Sequence, residues 1–183
     1  VATSHVLGSV CLAARRRLAA LRPGLRIVCS GDQVWDVTGV VRAMKLYEER
    51  VVPNHVMRCI AGAKDNGYRP MYCEGKDEQS LVQVEIYQNY EDQCQREGVV
   101  DFAELLLRCY ELLSRNQPLR EHYQRRFRHI LVDEFQDTNT LQYRWLKLLA
   151  GHGPPPANGG ASAVFAVGDD DHSHNPFRGP TAA

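Results

Sequence analysis

At 183 residues the chain is long enough for one fair-sized core, or for one core with a small inserted lobe. Its 44% apolar and 24% charged residues are those of an ordinary soluble globular protein, and 22 basic side chains cancel 22 acidic ones. Bulk charge therefore does not advertise a nucleic-acid partner, no apolar run approaches a membrane span, and the first residues lack the order of a secretory signal, so a cytoplasmic location is expected.

In chain order, Val10 to about Leu21 is helix-forming, carries Arg15-Arg16-Arg17 and is stopped by Pro23-Gly24. A short strand is expected in LRIVC, Leu25 to Cys29. Val37, Val40, Val41 and Met44 recur at the spacing of one helix face. Pro53 suits the first turn of a further helix, which DNGYRP, Asp65 to Pro70, ends. The stretch from about Asp77 to Arg96, rich in Gln and Glu, reads as one long exposed helix closed by Gly98. In DFAELLLRCYELL, Asp101 is an N-cap with Glu104 three residues on, and Phe102, Leu105, Leu106, Cys109 and Leu113 form a core-facing stripe.

Ile130-Leu131-Val132 follows, apolar on consecutive positions, which predicts a strand buried on both faces, and it ends in Asp133-Glu134. The next helix places Leu141, Trp145, Leu148 and Leu149 on one face and ends at Gly151. GHGPPPANGGASA reads as a flexible surface loop, and AVFAV, Ala163 to Val167, as a second buried strand that runs into Gly168-Asp169-Asp170-Asp171. Strand, helix, strand at these lengths is a βαβ unit. Both acidic tips then fall on the carboxyl edge of a parallel sheet, where open α/β sheets bind ligands. The six cysteines are irregularly spaced with no C-x-x-C pair, which argues against zinc and a disulfide framework; most are expected as buried thiols.

A carboxylate at the end of a buried strand has lost part of its hydration, so two together need a compensating cation or donors. Asp133 would hold Mg²⁺, directly or through water, and Glu134 would orient and deprotonate an attacking water. For three letters alone, the simpler reading is that Asp-Glu caps the following helix, favourable to its N-terminal dipole.

The longer string ILVDEFQDTN, with the later VGDDD and FRG, resembles motifs II and III of the superfamily 1 DNA helicases of the UvrD, Rep and PcrA type. GVVDFAELLLR resembles another stretch of that family, and the helical AGAKDNGYRP resembles its inserted helical lobe; the likeness runs from about Thr3 to Gly179. It implies a mostly helical α/β fold, the partial parallel sheet of a P-loop (RecA-like) motor domain plus an inserted all-helical subdomain. Residues 1–30 and 99–183 would belong to the motor domain and 31–98 to the lobe. It also implies an ATP-dependent DNA helicase, 3′-to-5′, acting in DNA repair or replication, that uses ATP and Mg²⁺ to move along single-stranded DNA. Its partners would be single-stranded or duplex-junction DNA and DNA repair proteins, with no membrane.

Carried over by position, Asp133 looks like the magnesium ligand, Glu134 like the catalytic base, Gln136 like a residue coupling nucleotide state to a neighbouring domain, and Asp137 like an organiser of that loop. Gly168 and Asp169 look like the turn after the second strand, with Asp169 at the nucleotide. Phe177 and Arg178 match the aromatic and base that touch single-stranded DNA, where stacking on any base is typically worth about 1–3 kcal/mol. Thr3-Ser4-His5 is similar to the family's Thr-Phe-His near the DNA, which makes His5 a DNA-binding candidate.

The chain departs from the family in places. His172 stands where the family has the Gln that senses the γ-phosphate, and Asn175 where it has a Tyr. Imidazole can still donate to phosphate, but Asn175 cannot stack. His172-x-His174 beside the aspartates also has the chemistry of a transition-metal chelate, although no remote ligand supports it. No G-x-x-x-x-G-K-[ST] phosphate loop occurs, so the chain reads as an internal piece that alone does not hydrolyse ATP. Two basic runs, Arg15-Arg16-Arg17 and Arg125 to His129, could meet phosphates or simply be solvated faces. The competing expectation is a non-catalytic DNA- or protein-binding relative with a degenerate third motif.

Overall fold

The computed structural model describes residues 26–28, 30–45, 51–75, 77–151 and 163–168, with backbone alone for 30–36. The helix expected at 10–21 and the loop expected after Gly151 lie outside the described residues. Two compact units divide between Cys109 and Tyr110.

In the first unit, β1 (Arg26–Ile27) and β2 (Val99–Val100) pair in parallel, Arg26 opposite Val99 and Ile27 opposite Val100. The Val28 N–H donates to the Val100 carbonyl at 2.8 Å. Between these strands run α1 (Ser30–Ala43), α2 (Pro53–Asp65) and α3 (Glu78–Glu97). The chain therefore leaves and re-enters this helical segment at one place. In α1, Val37, Val40 and Val41 are buried as their spacing requires. Pro53 opens α2, where its missing N–H would have had no helical partner anyway. Past its end, the Asn66 side chain donates to the Gly62 carbonyl at 2.8 Å.

α3 corrects the expectation of an exposed helix. Asp77 and Ser80 form a reciprocal cap, and Gly98 closes the helix at φ +68, a conformation that glycine adopts without steric cost. Between them Ile86, Tyr87, Tyr90 and Cys94 are buried, packing with Val37, Val40, Val41, Val56, Ile60 and Val99 in one core. Two tyrosines build this stripe because each brings a ring to the core and a hydroxyl to a partner. The Tyr87 hydroxyl donates to the Tyr68 carbonyl at 3.1 Å and the Tyr90 hydroxyl to Asp101 Oδ2 at 3.1 Å.

α4 (Phe102–Arg115) starts at Asp101, whose Oδ1 accepts the Glu104 N–H at 2.6 Å. Leu105, Leu106, Cys109 and Leu113 are buried as expected, whereas Phe102, in the first turn where the stripe ends, is 47% exposed. Glu104 does not fold back on the cap. Its carboxylate enters a buried charge cluster in which Lys64, 1% exposed, places Nζ 2.6 Å from Glu91, 2.7 Å from Asp101 and 3.2 Å from Glu104. Arg69 bridges Glu91 and Glu104 at 2.9 and 2.8 Å, and Arg108 also pairs with Glu104. Burial alone would lower the Lys64 pKa; the carboxylates of Glu104, Asp101 and Glu91 outweigh it and raise the pKa. Burial likewise pushes Glu104 upward, but Lys64, Arg69 and Arg108 together hold it at about 2. The two stretches AGAKDNGYRP and DFAELLLR thus meet through charges that must stay paired.

The second unit contains a helix that periodicity did not reveal, α5 (Gln117–Arg126), capped by the Asn116 side chain on the Leu119 N–H at 3.0 Å. Arg120 donates to the Leu113 and Ser114 carbonyls at the end of α4. β3 (His129–Val132) and β4 (Ala163–Ala166) are connected through α6 (Thr140–Ala150) and pair in parallel, from His129 opposite Ala163 to Val132 opposite Ala166. α6 buries Leu141, Trp145 and Leu149, and Gln124 Nε2 ties α5 to it through the Leu148 carbonyl at 2.7 Å. The expectation of strands covered on both faces is not met. Leu131 and Phe165, opposite each other, are 68% and 66% exposed. Among the described residues this sheet has two strands only, and an apolar run states that a strand can be covered without supplying the cover. The thiols also differ from expectation: Cys94 and Cys109 are buried, but Cys59 and Cys73 only half-buried.

Candidate active site

The parallel register fixes what lies at the carboxyl edge of β3 and β4. The Val167 N–H donates to the Val132 carbonyl at 2.8 Å, and the Phe135 N–H donates to the Val167 carbonyl at 2.9 Å. The turn after β3 is thereby stitched to the residues after β4. Asp133 and Glu134 leave the strand with both side chains exposed, and a single 3₁₀ turn, Phe135–Asp137, follows.

Glu134 has φ 51 and ψ 46, the left-handed region that a side chain with Cβ adopts at a cost of about 1–2 kcal/mol. Asp133 Oδ1 accepts the Glu134 N–H at 3.0 Å, a local bond that helps hold this geometry. Gln136 Nε2 donates to Glu134 Oε2 at 2.5 Å, so one amide fixes the direction of the neighbouring carboxylate. Gly168 lies against the same group: a Cβ there would stand 2.7 Å from Gln136 Oε1, 3.2 Å from the Gln136 backbone N and 3.3 Å from Phe135 Cβ. Glycine at 168 is what lets the second strand's end approach the turn this closely. Below it, Phe135 meets Tyr143 edge-on at 6.4 Å, and Lys147 Nζ lies 4.9 Å from the Tyr143 ring centre.

This geometry separates two sequence readings. The helix after the acids is capped by Asn139, whose side chain accepts the Gln142 N–H at 2.8 Å while Gln142 returns a bond to the Asn139 N–H. The Asp-Glu pair is therefore not needed as the cap of α6. Strain without a capping task points to a site. As a metal site the edge is sparse: among the described residues no group of three or more His, Cys, Asp or Glu side chains could enclose an ion. One exposed carboxylate does fit Mg²⁺, which keeps several waters and is commonly held by one or two carboxylates together with substrate phosphates.

Of the residues singled out in the sequence, Asp133, Glu134 and Gln136 come together on one turn, with Gly168 beside them. His5, Asp169, His172, Phe177 and Arg178 lie outside the described residues. Sequence reasoning missed the Gln136 bridge and the Gly168 contact. The signal for both was an Asp-Glu-x-Gln turn and a glycine at the ends of paired strands. Elsewhere, no described helix is long and apolar enough to cross a membrane.

Comparison with known proteins agrees with the ordered motifs. Residues 1–182 match the family described as UvrD/REP helicase N-terminal domain. DNA helicase II of Escherichia coli (strain K12) is 40% identical over 181 residues, which is 98% of this chain and 24% of that protein. DNA helicase II of Haemophilus influenzae is 39% identical over 180 residues, with the same coverage. ATP-dependent DNA helicase Rep of Salmonella typhimurium is 31% identical over 187 residues, 98% of this chain and 26% of that protein. The chain spans about a quarter of the length of these relatives. On its motifs and on a match along nearly its whole length, this chain belongs to the UvrD/REP helicase N-terminal domain family.

Proposed function

We propose that this chain serves an ATP-dependent DNA helicase, in the cytoplasm and in DNA repair or replication, and that its part is the acidic edge that handles the nucleotide's metal and water. The observation that carries this reading is Glu134, held in a strained backbone conformation with its carboxylate aimed by Gln136 beside the Gly168 turn. The relatives' names, DNA helicase II and ATP-dependent DNA helicase Rep, support the substrate classes. Pairing of β1 with β2 around α1 to α3 supports the division into a motor segment, an inserted helical lobe at 31–98, and a return to the motor.

When bound with nucleotide, Mg²⁺ supplies charge neutralisation at the phosphate oxygens. Asp133 is the residue to hold it, because Oδ1 is engaged by the Glu134 N–H while Oδ2 has no partner among the described residues. Glu134 orients the attacking water and accepts its proton, Oε2 being fixed by Gln136 and Oε1 left for the water. Gln136 links that carboxylate to the β4 end, so a movement of the Gly168 turn would be felt at the base. Asp169 and His172 would reach the nucleotide's phosphate side, and His5, Phe177 and Arg178 single-stranded DNA; these five assignments rest on the motifs alone.

A second reading, a non-catalytic DNA- or protein-binding relative, draws on His172 and Asn175, which replace the family's phosphate-sensing Gln and stacking Tyr. Nucleotide binding by the protein that carries this chain separates the two, measured with and without Mg²⁺ for the parent and for Asp133→Asn. The helicase reading expects Mg²⁺ to tighten binding in the parent and to have little effect in Asp133→Asn. Equal Mg²⁺ dependence in both removes Asp133 from the site.

A further inference from the structure

The charges of the second unit are polarised along β3. From Arg115 to His129 the sequence carries five arginines and two histidines against one glutamate, in a chain whose overall charge is zero. The next acids, Asp133, Glu134 and Asp137, lie past the other end of the strand. Four strand residues at about 3.3 Å each keep these two ends roughly 13 Å apart.

What the arginines do in the fold differs along the chain. Arg69 and Arg108 are committed to buried carboxylates, and Arg120 to the carbonyls that end α4. At the α5–β3 corner the pattern changes. Arg126 and Arg128 are exposed, and their side chains make no hydrogen bond or ion pair among the described residues. Arg125 reaches the segment's one acid, Glu121, only at 3.9 Å, with side chains 69% and 46% exposed. Such a pair contributes little to stability. His129 is exposed beside them, and the inner side of the corner is an aromatic stack, Tyr123 on Phe127 at 5.9 Å with rings 9° from parallel. The stacked rings take the half-buried positions of the corner and the guanidinium groups the exposed ones. The fold therefore does not explain three cationic side chains in four residues.

From this we infer that Arg125, Arg126 and Arg128, with His129, form a docking surface for the phosphate backbone of nucleic acid, at the opposite end of β3 from the nucleotide edge. Guanidinium forks match phosphate oxygens, and an exposed set with one weak surface pair reads charge rather than base sequence. That suits a protein that must hold DNA of any sequence. The inference rests on the DNA reading above in its choice of partner, but not on the acids of the nucleotide edge.

The test is binding of a labelled oligonucleotide, single-stranded in one arm and duplex in the other, to the full chain over a range of salt concentrations. It compares the parent, R125Q/R126Q/R128Q, R125K/R126K/R128K and Asp133→Asn. Each phosphate contact contributes about 0.7–0.9 to the slope of log affinity against log salt. The glutamine variant is expected to lose about 2 from that slope and to bind roughly tenfold more weakly at low salt, with an unchanged circular dichroism spectrum. The lysine variant keeps the slope, as does Asp133→Asn, and the arm that shows the loss names the form of DNA. An unchanged slope in the glutamine variant overturns the assignment of this corner. Absence of oligonucleotide binding by the parent overturns the DNA reading with it.

Discussion

Replacing Lys64 by methionine tests the physical account of the helical unit most sharply. The substitution keeps the volume of the buried stem and removes one charge that lies within 3.2 Å of three carboxylates. Glu91, Asp101 and Glu104 are then left facing two guanidinium groups, Arg69 and Arg108. Breaking a buried pair on one side costs about 3–5 kcal/mol, because the remaining charge has lost its hydration. The Glu104 carboxyl points the same way: Lys64, Arg69 and Arg108 hold it below 4.5, at about 2, against the opposing effect of burial. For a chain of this size the loss lowers Tm by roughly 6–20 °C. The pH dependence follows from the sign of the shift. A carboxylate depressed in the fold gives stability that is complete above about 4.5 and is lost as pH falls toward 2. Lys64→Met gives up its share of that stability, so its deficit is largest at neutral pH and shrinks on acidification. Thermal melts followed by circular dichroism at pH 7.5, 4.5 and 3 measure both effects. A variant that melts within about 2 °C of the parent at pH 7.5, or a deficit that grows as pH falls, refutes the reasoning.

Asp65 carries the opposite sign: burial, then the charge of Asp101, raises its pKa from 3.8 to about 6, so ionisation opposes folding at neutral pH and is relieved as pH falls from 6 toward 4. Asp65→Asn is expected to raise Tm at pH 7.5 and to match the parent near pH 4; a lower Tm at pH 7.5 contradicts this. Glu134→Gly removes the Cβ from a left-handed residue, which offsets the lost carboxylate contact, so the melt should not fall by more than about 0.5 kcal/mol while ATP turnover disappears. A loss of stability above about 1 kcal/mol would show that the turn is not strained.

The elements that were legible in the sequence are those decided locally. Pro53 at a first turn, Gly98 at a positive φ, and the Val37, Val40, Val41 stripe each follow from one residue's backbone or from spacing along one helix. What escaped depends on partners distant in sequence. Lys64, Asp101 and Glu104 are buried because α2, α3 and α4 bring opposite charges together, and no single-segment periodicity carries that information. α3 looked polar because Tyr87 and Tyr90 hide their rings among Gln and Glu. α5 is short and carries little apolar surface, so its cap, Asn116, and the early Pro118 were its main signals. At the candidate site, the acids and the parallel strands could be read in advance; the Gln136 bridge to Glu134 and the close approach of Gly168 needed the register of β3 against β4.

The most direct measurement is ATP turnover by the protein that carries this chain, with Glu134→Gln compared against the parent under saturating nucleotide and Mg²⁺. Glutamine keeps the shape and the contact with Gln136 but cannot accept the water's proton, so turnover should fall about 10²–10⁴-fold with nucleotide affinity within about threefold of the parent. Turnover equal to the parent's, with nucleotide bound as tightly, would contradict the assignment of the acidic edge to water activation.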